Sequence, residues 1–228
     1  MLFDIDGTLL LTAGAGRRAI ATALRDHVGD PAAFDRIRFD GKTDLQIVRE
    51  LLDSAAHPQA SESDFVASLC RHYVGLLEVE LRHPRTTTRL MPGVPDLLDR
   101  LEAEPRVVLG LLTGNVEQGA VLKLKASGID PARFLVGAYG SDSAHRPDLP
   151  GIAALRAVNH FGREPRGAEV VIIGDTPADM TCGLGISARA IGVATGSYPV
   201  PELEAAGAYA AFADLSETDR VIEAILGR

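Results

Sequence analysis

From residue 89 to residue 228, short apolar runs alternate with helix-patterned stretches, and this alternation restricts the fold more than any other feature of the chain. A strand, a helix and another strand in succession call for a parallel pair joined by a crossover. Apolar runs fall at residues 106–112, 134–138, 169–173, 188–194 and 209–212. Helices are expected over residues 115–126 and 148–161, after Pro177, and at the end of the chain as far as Leu226. Val107-Val108-Leu109 offers water no polar side chain, so a strand of this kind is buried on both faces. Met1-Leu2-Phe3-Asp4-Ile5 reads as a further buried strand, running into a turn at Asp6-Gly7-Thr8. A strand usually has ~5–6 residues. Only Met1, Leu2 and Phe3 precede Asp4, so either this strand is unusually short or the natural chain starts upstream.

The stretch from residue 14 to residue 88 has a different character. Helical patterns cover residues 17–28, 44–52 and 63–81, and no strand is expected there. In the second of them Leu45, Val48 and Leu52 recur at helical spacing with Leu51 beside them. The stretch ends in the linker Arg85-Thr86-Thr87-Thr88. The expected fold class is therefore α/β: a doubly wound parallel-sheet core from residues 1–13 and 89–228, interrupted by an all-helical insert over residues 14–88. A chain of 228 residues has room for one core and a small insert. Trp is absent, so Leu, Val, Ile and Ala must fill the core.

Charge and composition narrow the partners. A net charge of −8 with no dense Lys/Arg stripe argues against a nucleic-acid partner. The chain has no apolar run of transmembrane length, and its N-terminus lacks the pattern of a signal peptide. Cys70 and Cys182 form no CxxC pair and no disulfide framework, which fits a reducing cytoplasm. The six histidines are scattered, without the spacing of a zinc site. Gly14-Ala15-Gly16 and Gly183-Leu184-Gly185 lack the strand–turn–helix context of a dinucleotide fingerprint and read as turn and packing glycines.

In open α/β sheets, ligands bind beyond the carboxyl ends of the strands. Three of the expected strands end there in chemistry. The first ends in Asp4-Ile5-Asp6-Gly7-Thr8, two carboxylates at i and i+2 with a glycine for the turn. The second ends in Thr113-Gly114-Asn115, a hydroxyl and a glycine before a helix whose first N–H groups can face an anion. The third ends in Gly174-Asp175-Thr176-Pro177-Ala178-Asp179, with two more carboxylates. Four carboxylates at one place repel each other unless they surround a hard dication with oxygen ligands, and Mg²⁺ is the usual one in phosphate chemistry.

Asp4-x-Asp6-Gly7-Thr8, Thr113-Gly114-Asn115 and Gly174-Asp175-x-x-x-Asp179, in this order with a cation before the last, resemble the haloacid dehalogenase superfamily of phosphohydrolases. The insert after the first motif matches the position of the superfamily's helical cap. Gly41-Lys42-Thr43-Asp44 and the stretch from Asn115 to Gly128 are most similar to phosphoglycolate-phosphatase-type members. The resemblance implies that Asp4 attacks phosphorus to give an aspartyl-phosphate. It implies that Asp6 first protonates the leaving oxygen and then deprotonates the hydrolytic water. Mg²⁺ would be held by the Asp4 carboxylate, the Asp6 backbone carbonyl and Asp175, with Asp179 binding through water or orienting Asp175. Thr113 and the N–H groups near Gly114 and Asn115 would hold the phosphoryl oxygens. The superfamily usually places a lysine before the helix that precedes the last motif; here the matching segment is His145-Arg146-Pro147-Asp148, and the role is assigned to Arg146.

Selectivity is expected from the insert, where Lys42 and Thr43 lie on a turn and Arg17 and Arg18 open a helix at its positive end. A cation and a hydroxyl there suit a small phosphorylated metabolite such as 2-phosphoglycolate. The expected form is a monomer or a homodimer. A dehalogenase of the same superfamily needs neither Mg²⁺ nor an acid at Asp6, and the carboxylate set argues against it. A phosphosugar mutase shares Asp4 and Asp6 and stands as the alternative, beside a non-catalytic binding protein that keeps the fold.

Overall fold

The computed structural model describes residues 1–30 and 32–227. Its centre is a parallel sheet of six strands among the described residues: β1 (Leu2–Phe3), β4 (Gly110–Thr113), β5 (Val136–Tyr139), β6 (Val171–Gly174), β7 (Arg189–Val193) and β8 (Ala210–Phe212). Their spatial order is β5-β4-β1-β6-β7-β8. Alternate residues point to opposite faces of a strand. Phe3, Leu111, Ile173 and Ile191 therefore share one apolar cluster with α5 (Val94–Glu102), α6 (Glu117–Ser127) and α11 (Thr218–Leu226). Leu2, Leu112 and Ile172 face the other way, against α7 (Leu149–Arg156), with α8 (Val158–Phe161) following it. Ala190 packs on the same face with Leu203 of α10 (Val200–Ala205) and Met180 of α9 (Pro177–Cys182). Burial on both faces is why these strands read as continuous apolar runs.

The chain winds from β1 through β4 to β5 on one side of β1, then crosses to β6 and runs outward through β7 and β8. That reversal places a topological switch point beside β1, and the carboxyl ends of β1, β4 and β6 open into one crevice. β1 spans two residues, with Leu2 opposite Gly110 and Ile172. The apolar run expected from residue 106 joins the ladder only at Gly110, where Leu2 and Val136 stand opposite it. The helix expected over residues 148–161 is two helices, α7 and α8.

Between β1 and α5 lies the helical cap. α1 (Ala15–Val28), α3 (Asp44–Ser54) and α4 (Ser63–Arg82) pack on each other through Leu24, Val48, Leu51 and Leu77, with α2 (Ala33–Arg36) beside α3. This apolar cluster is separate from those of the sheet, apart from Val116 of the core, which joins it. Besides α2 and α10, two strands and α5 escape the sequence reading. β2 (Leu10–Leu11) and β3 (Arg89–Leu90) form a short antiparallel ribbon on the path into and out of the cap. α5 carries Val94, Leu97, Leu98 and Leu101 at helical spacing and buries all four. None of the helices, among the described residues, is long and apolar enough to cross a membrane.

Candidate active site

β1 delivers Asp4 to the crevice, where its backbone N–H donates to Ile173 O (2.9 Å). The chain then turns sharply at Gly7, which has φ +86°. A Cβ on Gly7 would stand 2.3 Å from Asp175 Oδ2, so only glycine lets the first motif close against the third. Thr8 completes that contact by donating its hydroxyl to Asp175 Oδ1 (3.0 Å). Asp175 follows β6, and Asp179 sits in the first turn of α9. Thr176 and Asp179 cap that turn reciprocally: Asp179 Oδ2 accepts from the Thr176 N–H (3.0 Å) and from its hydroxyl (2.7 Å).

Asp4, Asp175 and Asp179 are buried, and each offers a carboxylate oxygen within 4.8 Å of the other two. Burial pushes the Asp4 carboxyl up to about 7; Arg146 opposes the rise, and the charges of Asp179 and Asp6 add to it. Asp175 is raised well above the ordinary carboxylate range by burial first, then by Asp179 and Asp4. Three buried carboxylates packed this closely are an unfavourable arrangement until cations share their charge. An all-oxygen set with no histidine or thiol suits a hard dication such as Mg²⁺, so these residues fit that ion.

Arg146 occupies the place read for it. It lies in a short 3₁₀ turn ahead of α7, and its side chain is 5% exposed. Its guanidinium pairs with Asp179 Oδ1 and lies 3.5 Å from Asp4 Oδ1. Burial alone would lower its pKa, but the Asp179 and Asp4 carboxylates more than reverse this. Asp179 thus spends its oxygens on Arg146 and Thr176, which makes it an orienting group within the cluster.

The Asp6 side chain turns the other way. Its Oδ2 accepts from Asn115 Nδ2 (2.8 Å) and from Lys123 Nζ (2.5 Å). Lys123 lies on α6, is 4% exposed, and also donates to Asn115 Oδ1 (2.6 Å). Asn115 in turn donates to Thr113 Oγ1 (2.8 Å). The Asn115 amide is therefore fully engaged in tying Asp6, Lys123 and Thr113 together, whereas the buried Thr113 hydroxyl keeps its proton for an acceptor in the cavity. Lys123 was not singled out by sequence reasoning. Its signal was a lysine ten residues after Thr113, flanked by Leu122 and Leu124 on the stretch expected as a helix.

Three N–H groups at the start of α6, an end the sequence reading turned towards an anion, have partners within the protein. Val116 N donates to Asp44 Oδ2 (2.8 Å) and Glu117 N to Ser141 Oγ (3.2 Å), while Asn115 N turns to Thr113 Oγ1 (3.3 Å). Asp44 opens α3 of the cap, so a cap carboxylate takes the position at the helix end where a ligand anion was expected. The cap turn and Gly114 are in close contact: Asp44 N donates to Gly114 O (2.7 Å), and a Cβ on Gly114 would stand 2.0 Å from Lys42 O.

A cavity of about 250 Å³ joins these groups to the cap. Asp4, Asp6, Thr113, Gly114, Asn115, Lys123, Arg146 and Asp175 line it from the core; Gly16, Arg17, Lys42 and Tyr73 line it from the cap. Lys42, on the turn before α3, pairs with Glu50 of α3 and lines the cavity as a partly neutralised cation. Thr43 is fully buried and does not line the cavity. Its hydroxyl accepts from Gln46 N (3.1 Å), capping α3, and donates to Ala144 O (2.9 Å), tying the cap to the core. Arg17 lies over the Phe39 ring (4.5 Å) and lines the cavity, whereas Arg18 is occupied by Glu80 (2.8 Å) and Thr86 (2.9 Å). Cys70 and Cys182 are free and buried, and burial pushes both thiols up to about 12, which leaves them inert at neutral pH.

Comparison with known proteins fits this geometry. The chain is 28% identical over 206 residues to "Probable phosphatase IndB" of Dickeya dadantii (strain 3937), covering 90% of this chain and 85% of that protein. Its fold matches a hydrolase from Pseudomonas syringae with a TM-score of 0.70 at 23% identity, covering 97% and 96% of the two chains. It also matches a β-phosphoglucomutase from Clostridium difficile with a TM-score of 0.72 at 16% identity, covering 99% and 96%. A protein from Haemophilus somnus described as a predicted phosphoglycolate phosphatase matches at 0.68 and 20% identity, covering 96% of each chain. The sequence profile of the haloacid dehalogenase-like hydrolases matches residues 1–184, most of the length of this chain, and the chain belongs to that family.

Proposed function

We propose that the protein is a Mg²⁺-dependent phosphatase that hydrolyses small phosphomonoesters through an aspartyl-phosphate on Asp4. The observation that carries this reading is the division of labour between two carboxylates two residues apart. Asp4 is buried beside a guanidinium and two further carboxylates, while Asp6 faces the cavity in the grip of Lys123 and Asn115. Arg146 and a cation shared with Asp175 would hold Asp4 as the ionised nucleophile, whereas Asp6 faces the cavity, where it can exchange a proton with the leaving group.

In this reading an Asp4 oxygen forms a bond to phosphorus as the ester oxygen departs, and Asp6 gives that oxygen its proton. Asp6 then takes a proton from water, whose oxygen displaces Asp4 and releases inorganic phosphate. Arg146 holds Asp4 in place and faces a phosphoryl oxygen, and the Thr113 hydroxyl donates to another. Asp4, Asp175 and the Asp6 carbonyl would hold Mg²⁺, which would supply charge neutralisation for the phosphoryl oxygens. Pockets for drug-sized ligands typically occupy ~300–1,000 Å³; a cavity of about 250 Å³ suits a compact metabolite such as 2-phosphoglycolate better than a nucleotide.

The test is a rapid-quench experiment with ³²P-labelled substrate and Mg²⁺. Label is expected on Asp4 alone, and Asp4→Asn is expected to abolish both labelling and turnover. Label on a serine or histidine would overturn the mechanism. Transfer of the phosphoryl group to a second sugar hydroxyl in place of water would move the reading to a mutase.

A further inference from the structure

Tyr73 stands out in the wall of the cavity. It lies on α4 of the cap, is 0% exposed, and its hydroxyl has no hydrogen-bond partner among the described residues. Buried hydroxyls nearly always have a partner, because leaving one unpaired forfeits the hydrogen bonds it made with water. The phenol tip lies over two glycines: a Cβ on Gly16 of α1, or on Gly119 of α6, would stand 3.7 Å from Tyr73 Oη, in van der Waals contact. The same point above Gly16 lies 3.3 Å from Lys123 Nζ. Lys123 uses two of its N–H groups on Asp6 and Asn115, and an ammonium has three. A neutral donor and a cationic donor therefore converge on one small volume beside Asp6, and Tyr73, Gly16 and Lys123 all line the cavity.

We infer that Tyr73 and Lys123 form a subsite, roofed by the cap, for an oxygen acceptor on the leaving alcohol. The substrate class this selects is a small phosphomonoester whose alcohol places an acceptor oxygen two bonds from the ester carbon, either as a hydroxyl on the neighbouring carbon or as a carboxylate on the ester carbon itself. The inference rests on the reading of Asp6 as the acid that meets the leaving oxygen, since that reading places the leaving group against Lys123. Gly16 has no side chain because a side chain there would occupy the subsite. The phenol is desolvated in advance, so its hydrogen bond to the substrate replaces no bond within the protein.

Three esters separate the possibilities: ethyl phosphate, which lacks the acceptor; 2-hydroxyethyl phosphate, which places a hydroxyl there; and 2-phosphoglycolate, which places a carboxylate. With Mg²⁺, the wild-type protein is expected to prefer at least one oxygenated ester over ethyl phosphate by about tenfold in kcat/KM, the size of one good hydrogen bond. Tyr73→Phe is expected to bring that ratio close to one. Gly16→Ala, which puts a methyl at the meeting point, is expected to do the same. The melting temperature of Tyr73→Phe should be unchanged or higher, because that variant loses only an unpartnered hydroxyl. A wild-type protein that turns over all three esters alike, or variants that keep the preference, would refute the subsite and leave the hydrolase reading intact. Equal losses on all three esters with a lowered melting temperature would make Tyr73 a packing residue and refute it too. Turnover of none of the three, nor of 4-nitrophenyl phosphate, would bring down the phosphatase reading and the subsite with it.

Discussion

Lys123 shows how one residue sets the state of another. Its ammonium holds the Asp6 carboxylate at 2.5 Å and the Asn115 carbonyl at 2.6 Å, fixing where the proposed acid points before any substrate arrives. Lys123→Met would free Asp6 to turn and leave Asn115 without its donor. The loss should depend on the leaving group, since an alkoxide needs a proton far more than a nitrophenolate does. For an alkyl phosphate kcat/KM is expected to fall about 10²-fold, and for 4-nitrophenyl phosphate less than tenfold. Steady-state kinetics on the two esters would decide, and equal losses would assign Lys123 to folding alone.

At the level of elements, the contact between α3 and α6 joins cap to core. Asp44 is its pivot: its backbone N–H reaches Gly114 O, and its carboxylate caps Val116 N at the start of α6. That cap has a cost. Burial pushes the Asp44 carboxyl up to about 6, Lys123 and the Val116 N–H oppose the rise, and Asp6 adds to it. A carboxyl whose pKa is raised on folding leaves stability intact below its unfolded value of 3.8, and stability is lost as pH rises through about 6. Asp44→Asn keeps an acceptor for Val116 N and removes the ionisation. The variant is expected to gain roughly 1–3 kcal/mol over the wild type above pH 7 and to lose that advantage near pH 4. Urea unfolding at the two pH values would measure it; a constant difference would show that Asp44 ionisation does not couple to folding.

For the whole molecule, a cation held at the buried carboxylate cluster would tie stability to metal binding. An ion that binds only the folded state stabilises it by about 2.7 kcal/mol at one hundred times its Kd. Saturating Mg²⁺ is therefore expected to raise the melting temperature, excess chelator to abolish turnover, and Ca²⁺ to inhibit by favouring a larger and looser coordination shell. Full activity in chelator, with a melting temperature indifferent to Mg²⁺, would remove the metal from the mechanism. The same three-dimensional clustering marks the boundary of what a sequence specifies. The alternation of apolar runs and helices was enough to give the α/β class and the helical insert, because burial on two faces and helical spacing are written into neighbouring residues. Asp4, Asp6, Thr113, Asp175 and Asp179 could be singled out because short motifs at strand ends carry them. The α5 spacing of Val94, Leu97, Leu98 and Leu101 was equally local and was overlooked, whereas the β2–β3 ribbon is too short to leave a pattern. Lys123 on Asp6, Asp44 at the start of α6, Thr43 on Ala144, and an unpartnered Tyr73 in the cavity wall all depend on which residues far apart in the chain come together. Such contacts exist only once the chain has folded: a side chain's role there is set by which partners the fold brings within hydrogen-bond reach, and local sequence does not encode that distance.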